Sequence, residues 1–314
     1  MEKRKILITG AAGFIASSLA DWLLKDKNNF VVGIDNYLTG NKHNISTAIQ
    51  SPDYRFVHAD VNSVNDMNAI MTSDKFDYVF HYAAVVGVKR TLDHPLLVLN
   101  DITGIKNVLH LSKNTGVKRI FFSSSSEVYG EPVEIPQNEL TTPLNSKLPY
   151  AIVKNLGEAF LKSYKKEHGL DYTVFRFFNT YGPKQSTDFV LSKFVRSALY
   201  NKDITIYGSG EQTRTFCFID DNLEATERCL NENKYINEVI NLGSDHEISI
   251  IDLAKIVIEV TGSSSKIVHL PALKEGDMQR RCPDNSNMRN LLGRDLVPLK
   301  TGIQKIISAI KERS

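Results

Sequence analysis

From the first residues, short apolar stretches alternate with longer amphipathic ones, and this rhythm constrains the chain more than any other feature. Lys5–Thr9 reads as a strand, Gly10–Gly13 as a turn, and Phe14–Leu24 as a helix with Ile15, Leu19 and Leu23 on one side. Phe30–Ile34, Tyr54–His58 and Tyr78–His81 are further strands, with a helix predicted over Val64–Met71. A long helix over Pro95–Asn114, a strand over Arg119–Ser123, a helix over Ala151–His168 and a strand over Asp171–Arg176 complete the series. Runs such as Ile6-Leu7-Ile8 and Ile120-Phe121-Phe122 are apolar at every position, as strands covered on both faces require. The alternation predicts an α/β protein with a parallel sheet between helical layers. After Asn179 the pattern becomes a mixture of short strands, helices and polar loops, so residues 1–178 are expected to form one domain and 179–314 a smaller mixed α/β lobe. Phe216–Ile219 and Val239–Leu242 are again strand-like, and the chain is expected to return to the first domain around 216–242.

With 314 residues, 42% hydrophobic and 24% charged, the chain can bury the cores of two lobes. Its 38 Lys and Arg against 36 Asp and Glu leave +2, which argues against nucleic acid or an anionic membrane as a partner. No apolar run approaches the ~20 residues needed to span a bilayer. No secretion signal is read at the N-terminus. Cys217, Cys229 and Cys282 have neither metal-ligand spacing nor an even disulfide framework. No metal site is expected, and a reducing, cytoplasmic setting fits.

The chemistry concentrates at three places. Gly10-Ala11-Ala12-Gly13 lies between the first strand and first helix, where glycines permit a tight turn and close approach of backbone N–H groups to a dinucleotide pyrophosphate. Asp35 ends the second strand, placed for a carboxylate to accept hydrogen bonds from the ribose hydroxyls of NAD and to repel a 2′-phosphate; the lesser alternative is a turn carboxylate capping the next helix. Tyr150 and Lys154, spaced i and i+4, share a helix face, and the ammonium is expected to lower the phenol's pKa so that it can take a proton from a sugar hydroxyl. Such a pair arises often by chance. Its weight comes from the strand Ile120-Phe121-Phe122, which delivers Ser123–Ser126 at a carboxyl end, where open α/β sheets bind ligands. Ser125 is chosen as the hydroxyl that bridges substrate and Tyr150; the alternative is a serine loop bonding its own backbone.

Taken in order, these segments resemble the extended short-chain dehydrogenase/reductases of the nucleotide-sugar epimerase, dehydratase and decarboxylase group. The likeness runs through Thr9–Ile15, Asp35-Asn36, Ala59-Asp60-Val61, His81–Ala84, Ser124–Gly130, Tyr150 with Lys154, Arg176–Pro183 and Tyr207–Phe216. It implies a Rossmann-type doubly wound parallel sheet with a substrate lobe, and NAD as a retained cofactor. Gly10, Gly13, Phe14, Ile15, Asp35, Asn36, Asp60, Val61, Ala83, Ala84, Tyr150 and Lys154 match its cofactor contacts, and Ser125, Tyr150 and Lys154 its catalytic triplet. Asn179, Tyr207, Arg214 and Arg281, or Arg280 in place of the last, match ligands of the nucleotide sugar, and a guanidinium suits a diphosphate. The reaction implied is oxidation at sugar carbon 4 to a transient ketone.

The fate of that ketone divides the group. A UDP-sugar 4-epimerase is placed first. Glu127 beside the triplet resembles UDP-glucuronate decarboxylases, the second reading, although His81–Val88 departs from their proline-rich loop. Ser126 stands where a dTDP-glucose 4,6-dehydratase would carry Asp, and a non-catalytic NAD-binding protein is the remaining alternative. Apolar residues on more than one face of the 95–114 and 151–168 helices agree with the homodimer that the resemblance implies.

Overall fold

A computed structural model describes residues 3–271 and 280–312. The chain forms two compact units: residues 1–130, 144–176 and 227–240 make the first, and 131–143, 177–226 and 241–314 the second.

The first unit carries strands β1 (Arg4–Thr9), β2 (Asn29–Asp35), β3 (Tyr54–His58), β4 (Tyr78–His81), β5 (Arg119–Ser125) and β6 (Asp171–Phe177). They lie side by side in the order β6-β5-β4-β1-β2-β3, with β1 parallel to β2 and β4, β2 to β3, and β4 to β5. This is a Rossmann-type sheet. Strand order reverses between β1 and β4, so their ends, paired at Thr9 and His81, open the crevice where such sheets bind ligands. Ile6, Leu7, Ile8, Val79, Phe80, Phe121 and Phe122 are fully buried between helical layers, which explains the uninterrupted apolar runs.

Helices α1 (Phe14–Leu23) and α2 (Val64–Ser73) follow β1 and β3. The expected 95–114 helix is instead α4 (Pro95–Leu99) and α5 (Asp101–Thr115), preceded by α3 (Val88–Asp93). The break goes with a tertiary contact. The Gly104 N–H, which would bond to Asn100 O, donates to Asn62 Oδ1 at 2.8 Å. Helix α6 (Pro149–His168) begins two residues before its predicted start, with proline in the first turn, where a missing N–H is harmless. Gly157 of α6 faces Phe122 so closely that a Cβ there would lie 2.4 Å from the ring. That absence of a side chain lets α6 settle onto β5.

In the second unit, β7 (Thr180–Tyr181), α7 (Val190–Leu199), β8 (Ile204–Tyr207), β9 (Thr213–Thr215) and β10 (Cys217–Phe218) precede α8 (Ile219–Asn231). The strand-like 216–219 segment does not rejoin the large sheet. Its β10 pairs with β7, and Ile219 opens α8, whose first turn holds Asp220 and Asp221 where the helix dipole favours acids. The return is made by β11 (Glu238–Leu242), which lies beside β6 as the seventh strand. Next come β12 (Glu247–Ser249), antiparallel to β9; α9 (Ile250–Thr261); and β13 (Ile267–Leu270), parallel to β8. Helices α10 (Ser286–Leu292) and α11 (Leu299–Glu312) follow. Phe194, Val195, Leu253, Val257 and Ile303 are buried in this unit's core.

Candidate active site

The carboxyl end of β5 and the start of α6 meet within the first unit. Tyr150 hydrogen-bonds with the Ser125 hydroxyl, and Ser125 Oγ also accepts the Glu127 N–H at 3.2 Å, closing a tight 3-10 turn over Ser126–Tyr129. Lys154, 3% exposed, donates from Nζ to Ser123 Oγ at 3.3 Å and sits 5.0 Å from the Phe122 ring centroid. Its Nζ is 5.7 Å from the Tyr150 ring centroid. Burial draws the Lys154 ammonium down from 10.5 to about 8. The phenol moves the other way. Burial, then the Glu127 carboxylate, pushes Tyr150 above the usual tyrosine range, with Asp101 adding to this and only the Ser125 hydrogen bond opposing. Burial and the two carboxylates prevail over the lowering expected from Lys154 in this arrangement, and the ammonium donates to Ser123.

A crevice beside this cluster is lined by Gly10, Asp35, Asn36, Asp60, Val61, Ala83 and Ala84, all named from the sequence as cofactor residues. Gly10, at φ +70°, could not carry a side chain: a Cβ would lie 2.8 Å from the Ala83 backbone. Gly13 opens α1 and donates its N–H to Gly10 O at 2.8 Å, while Phe14 and Ile15 form the first turn. Asp35, 8% exposed, accepts the N–H groups of Ala12 (2.9 Å) and Tyr37 (2.6 Å). It therefore braces the turn as well as lining the crevice. Its carboxyl is raised by burial. Asn36 Oδ1 accepts the Leu38 N–H, and Asp60 Oδ1 that of Asn62, each at a turn.

In the second unit, Asn179 and β9 are tied together, with Asn179 Nδ2 donating to Thr215 O at 3.1 Å. Arg214 on β9 donates to Thr213 O, and Tyr207 ends β8, 41% exposed. The two adjacent arginines separate clearly. Arg280 is exposed and paired through two nitrogens with Glu247, whereas Arg281 is buried. Of the polar 277–285 stretch, residues 277–279 lie outside the described residues.

The family model for NAD-dependent epimerases and dehydratases matches residues 6–243. The chain belongs to the NAD-dependent epimerase/dehydratase family. UDP-glucuronic acid decarboxylase 1 of Xenopus tropicalis is 33% identical over 314 residues, covering 98% of this chain and 72% of that relative. Among solved structures, UDP-glucose 4-epimerase from Thermotoga maritima with UDP-glucose superposes at a TM-score of 0.91 and 30% identity, covering 98% of this chain and 99% of that one. UDP-glucuronic acid 4-epimerase from Bacillus cereus, with UDP-glucuronic acid and NAD, gives 0.89 and 30%, over 99% and 100% of the two chains.

As a member of the epimerase/dehydratase family the chain is an NAD-dependent enzyme, and its crevice fits that cofactor: a glycine turn too close-packed for side chains, a helix N-terminus, and an acid at the end of β2. Several contacts around this site escaped the sequence reading. Thr9 Oγ1 accepts the N–H groups of Tyr82 and Ala83, each at 3.1 Å, and meets Nδ1 of buried His81 at 2.9 Å, fixing the start of the 82–87 loop. Burial holds His81 neutral, its pKa lowered to about 3. Asp101 lines the crevice and accepts the Val85 N–H at 2.8 Å. Its signal was available: a carboxylate at the i+4 position between Leu97 and Ile105, on an apolar helical stripe.

Proposed function

We propose that the chain is a 4-epimerase of UDP-sugars, acting through a transient 4-keto sugar. The observation that carries this is the Ser125–Tyr150–Lys154 cluster at the carboxyl end of β5, in one unit with the cofactor crevice. NAD, when bound, would supply the hydride acceptor and donor for sugar carbon 4. Gly10, Gly13, Phe14, Ile15, Asp35, Asn36, Asp60, Val61, Ala83 and Ala84 hold it, in a domain formed by the first unit. Tyr150 takes the proton from the carbon-4 hydroxyl as the ketone forms and gives it back when the opposite face is reduced, so no net redox change remains. Ser125 orients that hydroxyl through its bond to Tyr150. Lys154 holds its positive charge 5.7 Å from the Tyr150 ring centroid, where it favours the phenolate at the moment it forms. The second unit binds the nucleotide diphosphate through Asn179, Tyr207, Arg214 and the buried Arg281.

Two observations favour a second reading, UDP-glucuronate decarboxylation: the Glu127 carboxylate raises the Tyr150 phenol, and a decarboxylase-named relative aligns over nearly the whole chain. The experiment that separates them is NMR of the products from UDP-glucose, UDP-N-acetylglucosamine and UDP-glucuronate. Inversion at carbon 4 is expected, with Tyr150→Phe abolishing it while NAD stays bound. Loss of carbon dioxide from UDP-glucuronate would replace the first reading by the second, and turnover by Tyr150→Phe would refute the role of the phenol.

A homodimer is part of the proposal, supported by apolar side chains exposed on α4 and α6: Leu96 at 75%, Ile152 at 44% and Leu99 at 36%. A cytoplasmic setting is supported by three unpaired, buried cysteines.

A further inference from the structure

Gly104 lies within α5, where glycine weakens a helix relative to alanine. The reason for it is outside the helix. A Cβ at this position would stand 2.8 Å from Val61 Cγ2 and 2.9 Å from Asn62 Oδ1, so the 60–62 loop after β3 rests directly on the α5 backbone. The loop is also bonded there. Asn62 Oδ1 accepts the Gly104 N–H at 2.8 Å, and one turn further along Asn107 Nδ2 donates to Val61 O at 2.9 Å. Asp60 Oδ1 accepts the Asn62 N–H at 2.8 Å and sets the turn that delivers Asn62 to the helix. Three residues before Gly104, Asp101 Oδ2 accepts the Val85 N–H of the 82–87 loop at 2.8 Å. At spacings of three residues, α5 therefore grips both loops that line the cofactor crevice, one through Asp60, Val61 and Asn62 and the other through Ala83, Ala84 and Val85.

We propose that Gly104 and Asn107 are positioning residues for NAD: they clamp the 60–62 loop onto α5 and so fix the wall of the crevice on its adenosine side. The side follows from the sheet. A dinucleotide lays its pyrophosphate on the turn after β1 and its adenosine ribose at the end of β2, and the 60–62 loop follows β3, the next strand outward. The inference rests on the assignment of Asp60 and Val61 to the cofactor in the proposed function, and is independent of which sugar reacts. A methyl group at 104 would push Val61 and Asn62 off the helix, and loss of the Asn107 donor would take that partner from the Val61 carbonyl. Either change would loosen one wall of the crevice, and a retained cofactor would escape faster.

Holoenzyme is mixed with excess deuterated NAD, and exchange of bound for labelled cofactor is read by mass spectrometry, beside urea unfolding of the same samples. Gly104→Ala and Asn107→Asp, which keeps the shape but replaces the donor by an oxygen, should each exchange NAD about tenfold faster than wild type or more. Val108→Ala, a cavity on the buried face of the same helix, is the control for general loosening: it should lower the urea midpoint and leave exchange at the wild-type rate. An unchanged exchange rate in either clamp variant that folds overturns the proposal, and so does equal acceleration by Val108→Ala. If Gly104→Ala does not fold, Asn107→Asp decides by the same criterion. A wild-type protein that retains no NAD would sink the cofactor assignment beneath the inference, an outcome distinct from these.

Discussion

In the proposed reaction Tyr150 is the base, yet its surroundings favour the protonated phenol. Burial raises it first, the Glu127 carboxylate second, and a hydrogen bond from Ser125 is the one opposing influence. A protonated phenol suits the half of an epimerisation that returns a proton, while the half that removes one needs positive charge near the ring. Glu127 thus acts as a brake on ionisation. Replacing it by Gln removes that charge, so the phenolate should form at lower pH and the acid limb of kcat should shift downward. An acid limb at the wild-type position, measured across pH 5 to 9 as a roughly chosen range around neutrality, would show that Glu127 has no Coulombic hold on Tyr150. The identity of the residues was readable here, since Ser125, Tyr150 and Lys154 are brought together as the spacing suggested. The direction of the phenol's shift was not, because it depends on carboxylates from the 126–129 turn and from α5 that no local spacing reveals.

One helix organises the site. Along α6, Tyr150, Lys154 and Glu158 recur every fourth residue on one face. Glu158, 1% exposed, accepts from Ser124 Oγ at 2.6 Å and from Arg176 at 3.0 and 2.7 Å, while Arg176 also donates to the Tyr129 hydroxyl at 2.9 Å. Ser124 and Tyr129 bracket the turn that carries Ser125 and Glu127, so the buried pair locks helix, strand and turn in one register. Arg176→Met would strand the Glu158 charge and should cost about 3–5 kcal/mol in urea unfolding. Adding Glu158→Leu should restore most of that stability and leave turnover impaired. A double variant with wild-type kcat would show that the pair holds nothing the reaction needs. The sequence carried a hint in charged residues at apolar positions, Glu158 on a buried helix face and Arg176 inside Val174-Phe175-Arg176-Phe177. The partner each one chose was invisible, as was the break before α5, which depends on Asn62 reaching Gly104 from 42 residues away.

For the whole molecule, the order of strands matters more than their number. Reversal of winding between β1 and β4 puts the Gly10 turn and the 82–87 loop at one edge, and the Cβ-free approach of Gly10 to Ala83 makes that edge tight. Outside this unit's core, α4 and α6 leave Leu96, Leu99 and Ile152 in contact with solvent in the single chain. If two copies cover this face, Leu96→Glu should convert a dimer to a monomer in light scattering with little loss of single-chain stability. A monomeric wild-type protein, or a variant that still dimerises with unchanged affinity, would show that this helical face is not the interface. Chain organisation was partly legible. Of the two strand-like pieces expected to return to the large sheet, β11 does so and β10 pairs with β7, because four-residue apolar segments look alike whichever sheet completes their hydrogen bonds.

By itself the sequence determined the α/β class, the parallel sheet, the glycine turn, Asp35 and the Tyr150–Lys154 face, because each depends on periodicity or on neighbours within a few residues. Only tertiary structure decided which carboxylates surround the phenol, which arginine of the Arg280–Arg281 pair is buried, and where the long helix breaks. These outcomes depend on groups brought together across dozens of residues, where burial and charge act through space and leave no mark on local spacing.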